Sequence, residues 1–329
     1  VGKDIPRIDY TDSAEGVLLL EPTRTNYITQ SNDFSGWFAG YLYTTPNYAI
    51  SPDGTQNASR CLFTGASQLI STPTSATGTL TGSMYVKGVS GETIQLSAGG
   101  GEDLITLTGE WQRLIVTKTN INGTFNLNTF GGATARDLLI YAAQLEQGSY
   151  ATSYIPTNGS AVQRASETCN GAGNEQVFND SEGVLFADVS SENTVADNRI
   201  YLSDGSDNNR IFIILDKTQS SIKGYVRGAS GYALAITSVG YDTSLNHKVL
   251  IKYKSNDYSF WINGFEVGSE TASTILPLGL NRLSFNGTSN YNPFYGKTKE
   301  IGYYDTALTD AELEYMTSYR SLNELVTEL

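Results

Sequence analysis

Residues 259–268 read SFWINGFEVG, two short strand-like runs rich in aromatic and apolar side chains on either side of Asn263-Gly264. Asn-Gly tolerates positive φ at both central positions of a type I′ turn, whose twist matches that of two antiparallel strands. The stretch is therefore a two-residue β-hairpin. The segments around it repeat the pattern on a scale of about ten residues: EGVLFADVSS, NRIYLSDG, NRIFIILDK, SIKGYVRG, YALAITSVG, HKVLIKYK, NRLSFNG and KTKEIGYYD. Several short strands at that spacing, punctuated by Gly, Asn, Asp and Ser, predict a β-sandwich.

The N-terminal half carries a second series: GVLLLEP (Gly16–Pro22), then a polar and aromatic loop to about Ser51, then SRCLFTG, GTLTGSMYVKG, ETIQLSAGG, EWQRLIVTKT, GTFNLNTFGG and RDLLIYAAQLE. In SMYVKG and RLIVTK the apolar residues alternate with polar ones, the period of a strand with one buried face. The chain of 329 residues is longer than one hydrophobic core usually grows. The small, polar run NGSAVQRASETCNGAGNEQ lies between the two series and reads as a linker. The expected organisation is all-β: an N-terminal segment over 1–23 entering the first domain, a first sandwich over 24–157, a linker over 158–175 and a second sandwich over 176–329. Helix is expected only at the C-terminus. Thr309 as N-cap with Glu312 forms a capping box after Leu308, and Ser321 with Glu324 repeats it ahead of an apolar face of Leu322, Leu325, Val326 and Leu329.

A formal net charge of −13 argues against a nucleic-acid partner, which needs clustered Lys and Arg. No run of apolar residues approaches the length of a membrane span, so no membrane insertion is expected. The chain starts at Val1 without Met and reads as a piece of something longer. Cys61 and Cys169 fit no metal motif and are expected to be free thiols. The single histidine, His247, excludes chemistry that needs two imidazoles and is expected to be structural. GGGEDL lacks the Lys and helix of a phosphate cradle and reads as a turn. No paired-carboxylate stretch of the kind that cleaves glycosidic bonds is present, so no enzyme is expected; a lyase site built on Tyr and Arg follows no spacing rule and stays open. Asp204, Asp207 and Asn208 in SDGSDNN form a weak Ca²⁺ candidate without the usual loop spacing; two turns joining strands explain them as well, and no cofactor is expected. The N-x-S/T triplets at Asn57, Asn122, Asn158, Asn179 and Asn286 read mostly as turns.

Aromatic surface remains. GWFAGYLYTTPNY places Trp37, Phe38, Tyr41, Tyr43 and Tyr48 in a stretch without regular period, and NGTSNYNPFYG adds Tyr291, Phe294 and Tyr295. Rings with a polar edge can stack on sugar C–H faces. Trp37, Tyr41, Tyr43, Tyr48, Tyr291 and Tyr295 are the glycan-binding candidates, against the alternatives of core packing and subunit contact.

Two stretches carry a family resemblance. PRIDY…GVLLLEPTRTNYITQSNDFSGW followed by LLIYAAQLEQGSYATSYIPTNGSAVQRASE, over about residues 5–168, resembles the carbohydrate-binding-like jelly roll of many tailed-phage virion surface proteins. FWINGFEVG with IGYYDTALTDAELEYMT, over about 176–319, resembles concanavalin A-like or laminin-G-like sandwiches. The resemblance implies a fibre or decoration protein on the virion surface, assembled as a homotrimer with other virion proteins, that adheres to host-surface glycans. Alternatives are a polysaccharide-degrading tailspike or secreted lyase or hydrolase, and a purely architectural virion component. It also implies that GSYATSYIPT is a tether running along the domain, with Tyr150 and Tyr154 as anchors and Ile155-Pro156 stiffening its exit.

Overall fold

A computed structural model describes residues 5–11, 13–40, 42–119, 123–130, 134–193, 197–287 and 292–319. The chain forms two compact units, one of Thr23–Ser166 and the other of Val1–Pro22 together with Glu167–Leu329. Both are β-sandwiches, and the one α-helix among the described residues is Asp310–Thr317.

In Thr23–Ser166 two five-stranded sheets face each other. One runs, in spatial order, Gly101–Thr106, Thr93–Ala98, Gly123–Asn128, Leu69–Thr74, Phe38–Gly40; the other runs Gln112–Lys118, Leu80–Lys87, Arg136–Gln147, Ala58–Phe63, Leu42–Ala49. From Ala58 onward the chain keeps passing between sheets, one strand or hairpin at a time, which is jelly-roll connectivity. Each crossing uses a short turn, and that is why strand runs recur about every ten residues. Leu80, Gly82, Met84 and Val86 point inward against Leu114, Val116, Leu138 and Leu145. Gly82 is required there: a Cβ would lie 2.6 Å from the Phe125 ring of the facing sheet.

The other unit stacks a seven-stranded sheet (Ile8–Asp9, Val17–Leu20, Gly296–Tyr304, Glu182–Ser190, His247–Lys254, Tyr258–Ile262, Phe265–Glu270) on a six-stranded one (Asn170–Ala172, Arg282–Ser284, Asn198–Ser203, Arg210–Asp216, Ser221–Gly228, Gly231–Val239). Every ladder in both sheets is antiparallel. Ile262 pairs with Phe265, leaving Asn263 (φ 51°) and Gly264 (φ 87°) as the two turn residues, so the expected hairpin is present. On the outer face of the seven-stranded sheet Val184, Phe186, Leu250 and Trp261 are covered by Leu313 of the helix, with Leu308 and Met316 beside it. The Thr309 hydroxyl accepts from the Glu312 amide and the Glu312 carboxylate from the Thr309 amide, closing the capping box. The second expected helix, Ser321–Leu329, lies outside the described residues.

Three expectations need correction. The N-terminal segment expected over 1–23 does not enter the first sandwich in its described residues up to Pro22: Leu18–Leu20 pairs with Gly296–Thr298 of the seven-stranded sheet, because the apolar Val17–Leu20 finds its buried face there. The jelly roll is thus an insertion in the chain of the second sandwich. Arg7 bridges Glu21 (3.0 Å) and Glu167 (2.7 Å) where the chain leaves and returns. The expected linker is not structureless, since Val162–Arg164 pairs with Arg24–Asn26 and Asn170–Ala172 pairs with Arg282–Ser284. Nor are Phe38–Gly40 and Leu42–Ala49 irregular: each is an edge strand of one of the two jelly-roll sheets.

His247 is structural. Its Nε2 donates to the Asp242 carbonyl (2.9 Å) and its Nδ1 accepts from the Asn263 amide (3.0 Å). The Asn263 orientation is set by its Oδ1, which accepts from the Lys248 amide, so a second ring proton would face a donor. Burial first of all holds the His247 pKa below its usual value. As pH falls through about 6.5 the unfolded chain takes up a proton that the folded chain resists, so stability is lost on acidification. The urea midpoint of this unit is expected to fall between pH 7 and 5, and to fall less in His247→Gln; equal slopes for the two proteins would refute the assignment.

Candidate functional site: the outer face of a jelly-roll sheet

The strand Arg136–Gln147 crosses the centre of its sheet and carries a one-residue bulge, since Tyr141 pairs with Tyr85 but Gln144 with Ser83. Ala142 takes φ 56° there. Before the bulge Asp137, Leu139 and Tyr141 point outward; after it Gln144 and Glu146 do, because the extra residue resets the alternation. The two halves of the outer face then differ in character.

One half is sealed by the segment Ser149–Thr157. Glu146 is fully buried: its Oε1 accepts from the Gln144 amide (2.7 Å) and the Thr152 N–H (2.8 Å), and its Oε2 from the Thr152 hydroxyl (2.6 Å), with Arg24 Nε at 3.4 Å. Gln144 Oε1 accepts from the Ile155 amide. Asn26, also fully buried, accepts from the Ile28 and Leu145 amides and donates to the Ala143 and Ile155 carbonyls. Tyr154 lies 5.9 Å from the Tyr141 ring and shares a hydrogen bond with Ser31 (2.5 Å), and burial pushes its pKa up to about 12. The Arg24 guanidinium stands 5.2 Å from the Tyr150 ring. The tyrosines anchor the segment as the resemblance implied, and the polar pins at Glu146 and Asn26 make it a clasp across the sheet.

The other half is open. Tyr43 opposes Leu62, Thr45 opposes Arg60, Asp137 opposes Leu62, and Leu139 is flanked by Arg60 and Lys87; Arg113 opposes Tyr85. These side chains share one face with Trp111, which packs half-buried with Tyr85 against Tyr141. Arg60 grips Asp137 through Nε (2.7 Å) and Nη2 (2.6 Å), and those bonds hold the Asp137 carboxyl below the usual carboxylate range. The same guanidinium lies 5.2 Å from the Tyr48 ring. Arg113 donates to Ser83 and to the Thr152 carbonyl, which fixes it beside Tyr85. Tyr141 donates to Asp53 (2.7 Å), a carboxylate also held by Thr55 and Asn57 and kept strongly acidic by them, the Thr55 hydroxyl foremost.

The sequence candidates divide accordingly. Tyr43 (69% exposed) and Tyr48 (51%) are exposed on the edge strand of this face. Trp37 is corrected: it is 6% exposed, its indole N–H donates to the Gln30 carbonyl, and its ring packs against Phe34 and Phe125 in the core, so a sugar cannot reach it. Tyr41 and Tyr291 lie outside the described residues. Tyr295 belongs to the other sandwich, is half-buried and offers its carbonyl to Ser191, beside the buried Phe294. For Ca²⁺, Asp204 binds the Ser206 amide and Asn209, and Asp207 pairs with Arg210, so the two carboxylates are spent on turn geometry and do not converge with Asn208. Cys61 is buried and Cys169 half-buried, both as free thiols. Sequence reasoning missed Arg60, Tyr85, Trp111, Arg113 and Asp137. Each lies in or beside a short strand-like run of the sequence, but only the cross-strand register and packing show that they share a face.

A scan against protein-family models and a search of curated protein sequences find no match. Among solved structures the chain is similar to the CBM40 module of the Ruminococcus gnavus IT-sialidase (14% identity, covering 46% of this chain and 97% of that one, TM-score 0.38). It is also similar to a heptameric SAP-like pentraxin from Limulus polyphemus (10%, 46% and 76%, TM-score 0.37) and to domains LG4-5 of the mouse laminin alpha1 chain (7%, 92% and 92%, TM-score 0.30).

Proposed function

We propose that the chain is a virion-surface protein of a tailed phage, of fibre or decoration type, that adheres to host-surface glycans through the open half of the jelly-roll sheet. The observation that carries the binding reading is the grouping of Tyr43, Tyr48, Tyr85 and Trp111 with the Arg60–Asp137 pair on one accessible face. Flat rings supply stacking area for pyranose faces, and a fixed guanidinium–carboxylate pair offers donors and acceptors to hydroxyls. The virion placement rests on the motifs of residues 5–168 and implies a homotrimer, in which several shallow sites act together. Binding without cleavage is the reading for this face: hydrolysis needs one carboxyl held protonated, whereas Asp137 is held ionised by Arg60 and Glu146 is sealed under the clasp.

The test is a glycan array followed by titration of the strongest ligand. Tyr43→Ala combined with Tyr48→Ala should weaken binding by about 10- to 100-fold, from the loss of two stacking contacts, without moving the melting temperature. Release of new reducing ends from host polysaccharide would favour a tailspike enzyme instead. Absence of any array signal would leave the architectural role. A particle mass of three chains of 35.6 kDa would support the trimer, and recovery of the chain in purified virions would support the placement.

A further inference from the structure

The outer face of the six-stranded sheet in the second sandwich carries a line of aromatic rings over four adjacent strands. Tyr201 stacks on Phe212 (5.0 Å, 15°), Phe212 on Tyr225 (4.7 Å, 15°), and Tyr225 meets Tyr232 at 5.8 Å. Cations are interleaved with the rings. Arg210 lies over Tyr201 and Phe212 (5.6 and 4.8 Å), Arg227 over Tyr232 (5.3 Å), and Arg199 donates to the Tyr201 hydroxyl.

Two features of this face are not explained by folding alone. Arg210 and Arg227 are directly opposed across neighbouring strands, a like-charge pairing that costs stability in a sheet, in a chain whose net charge is −13. Of the cations here all but Arg227 are matched: Arg199 by Asp197, Lys223 by Asp216 and Arg210 by Asp207. Among the described residues no carboxylate pairs with Arg227, and its Nε is buried without a hydrogen-bond partner. The Asp207 side chain is 63% exposed, so solvent competes for its hold on Arg210. At the end of the ladder where Arg227 sits, Tyr232 is 47% exposed and Tyr225 half-buried. A bulge between Val226 and Arg227 sets Tyr232 opposite Arg227.

We infer that Arg227, Arg210 and the Tyr225–Tyr232 rings form a second glycan site that takes a carboxylate-bearing pyranose. The planar guanidinium of Arg227 suits a carboxylate in bidentate geometry, and the adjacent ring is a platform for the apolar sugar face. This rests on the reading of the protein as a glycan binder and extends it to acidic sugars at a site on the other sandwich.

The test is calorimetric titration of the full chain with a tetrasaccharide alternating glucuronic acid and N-acetylglucosamine, beside neutral N-acetylchitotetraose. The acidic sugar should bind at least about tenfold more tightly, and Arg227→Gln should remove about that factor, as loss of a charge-assisted hydrogen bond does. Arg227→Lys should restore part of it, and Tyr232→Ala should weaken acidic-sugar binding while leaving the melting temperature unchanged. Equal affinity for the two sugars, or an Arg227→Gln protein that binds the acidic sugar like the wild type, overturns the inference. If acidic-sugar binding is lost with the Tyr43 and Tyr48 substitutions but not with Arg227→Gln, this site is refuted and the jelly-roll reading stands. If neither sugar binds and the array is silent, both fall.

Discussion

Replacing Glu146 with Leu should destabilise the Thr23–Ser166 unit by about 3–5 kcal/mol, the scale for breaking a buried, fully bonded ion pair from one side. The substitution leaves the Thr152 amide and hydroxyl, the Gln144 amide and the Arg24 guanidinium facing an apolar side chain, and each buried orphan donor carries its own desolvation penalty. Water cannot readily replace the carboxylate, because Glu146 has no exposed surface. Glu146→Gln should cost less, since one oxygen remains to accept from Thr152. In a calorimetric scan the transition of this unit should move down by roughly 10 °C, while the Trp261 environment in the other unit keeps its own transition. Amide exchange at Thr152 and Ile155 should rise before the global transition, because the clasp would open first. A Glu146→Leu protein within about 1 kcal/mol of wild type would show that the clasp is not held by this carboxylate.

Phe260→Ala should cost the other sandwich about 3–5 kcal/mol, as a large-to-small change in a packed core does. Phe260 is fully buried on the inner face of the seven-stranded sheet, and its ring lies on Gly224 of the facing sheet, where a Cβ would sit 2.5 Å from the ring. Gly224→Ala alone is therefore overpacked, by about 1–3 kcal/mol, although Ala is otherwise preferred to Gly within a strand. In the Phe260→Ala background the added methyl enters the vacated space, so Gly224→Ala should become neutral or stabilising. The double-mutant cycle should give a coupling of about 1–3 kcal/mol. Additive costs would mean that the ring and the glycine do not meet. Urea denaturation with constant m-values is the measurement.

These two sites show what kind of information each level holds. The hairpin at Asn263-Gly264 and the capping box at Thr309 and Glu312 were legible because their causes are local: a φ angle that Asn and Gly tolerate, and a hydroxyl three residues from its amide. The all-β character was legible for the same reason, as alternation is a property of a few consecutive residues. The course of GSYATSYIPT could be expected only by resemblance; its pins at Asn26 and Glu146 depend on a bulge that no run of residue types announces. Trp37 and Tyr43 stand six positions apart in one aromatic stretch, yet the first is core and the second is surface. Aromatic types recur along the stretch on either side, so only the packing of Trp37 against Phe34 and Phe125 and the register of Tyr43 with Leu62 separate core from surface.

From the residues alone follow strand, turn and cap, a net charge of −13, and the exclusion of chemistry that needs two imidazoles. Tertiary structure decided that Val17–Leu20 completes a sheet with Gly296–Thr298, making the jelly roll an insertion, and that Tyr43, Arg60, Asp137, Tyr85 and Trp111 share a face. It also set Arg227 opposite Arg210. The physical reason is common to all three. Register between strands distant in sequence is settled by which buried faces fit together, and a shift of one residue would turn every side chain to the opposite side of its sheet.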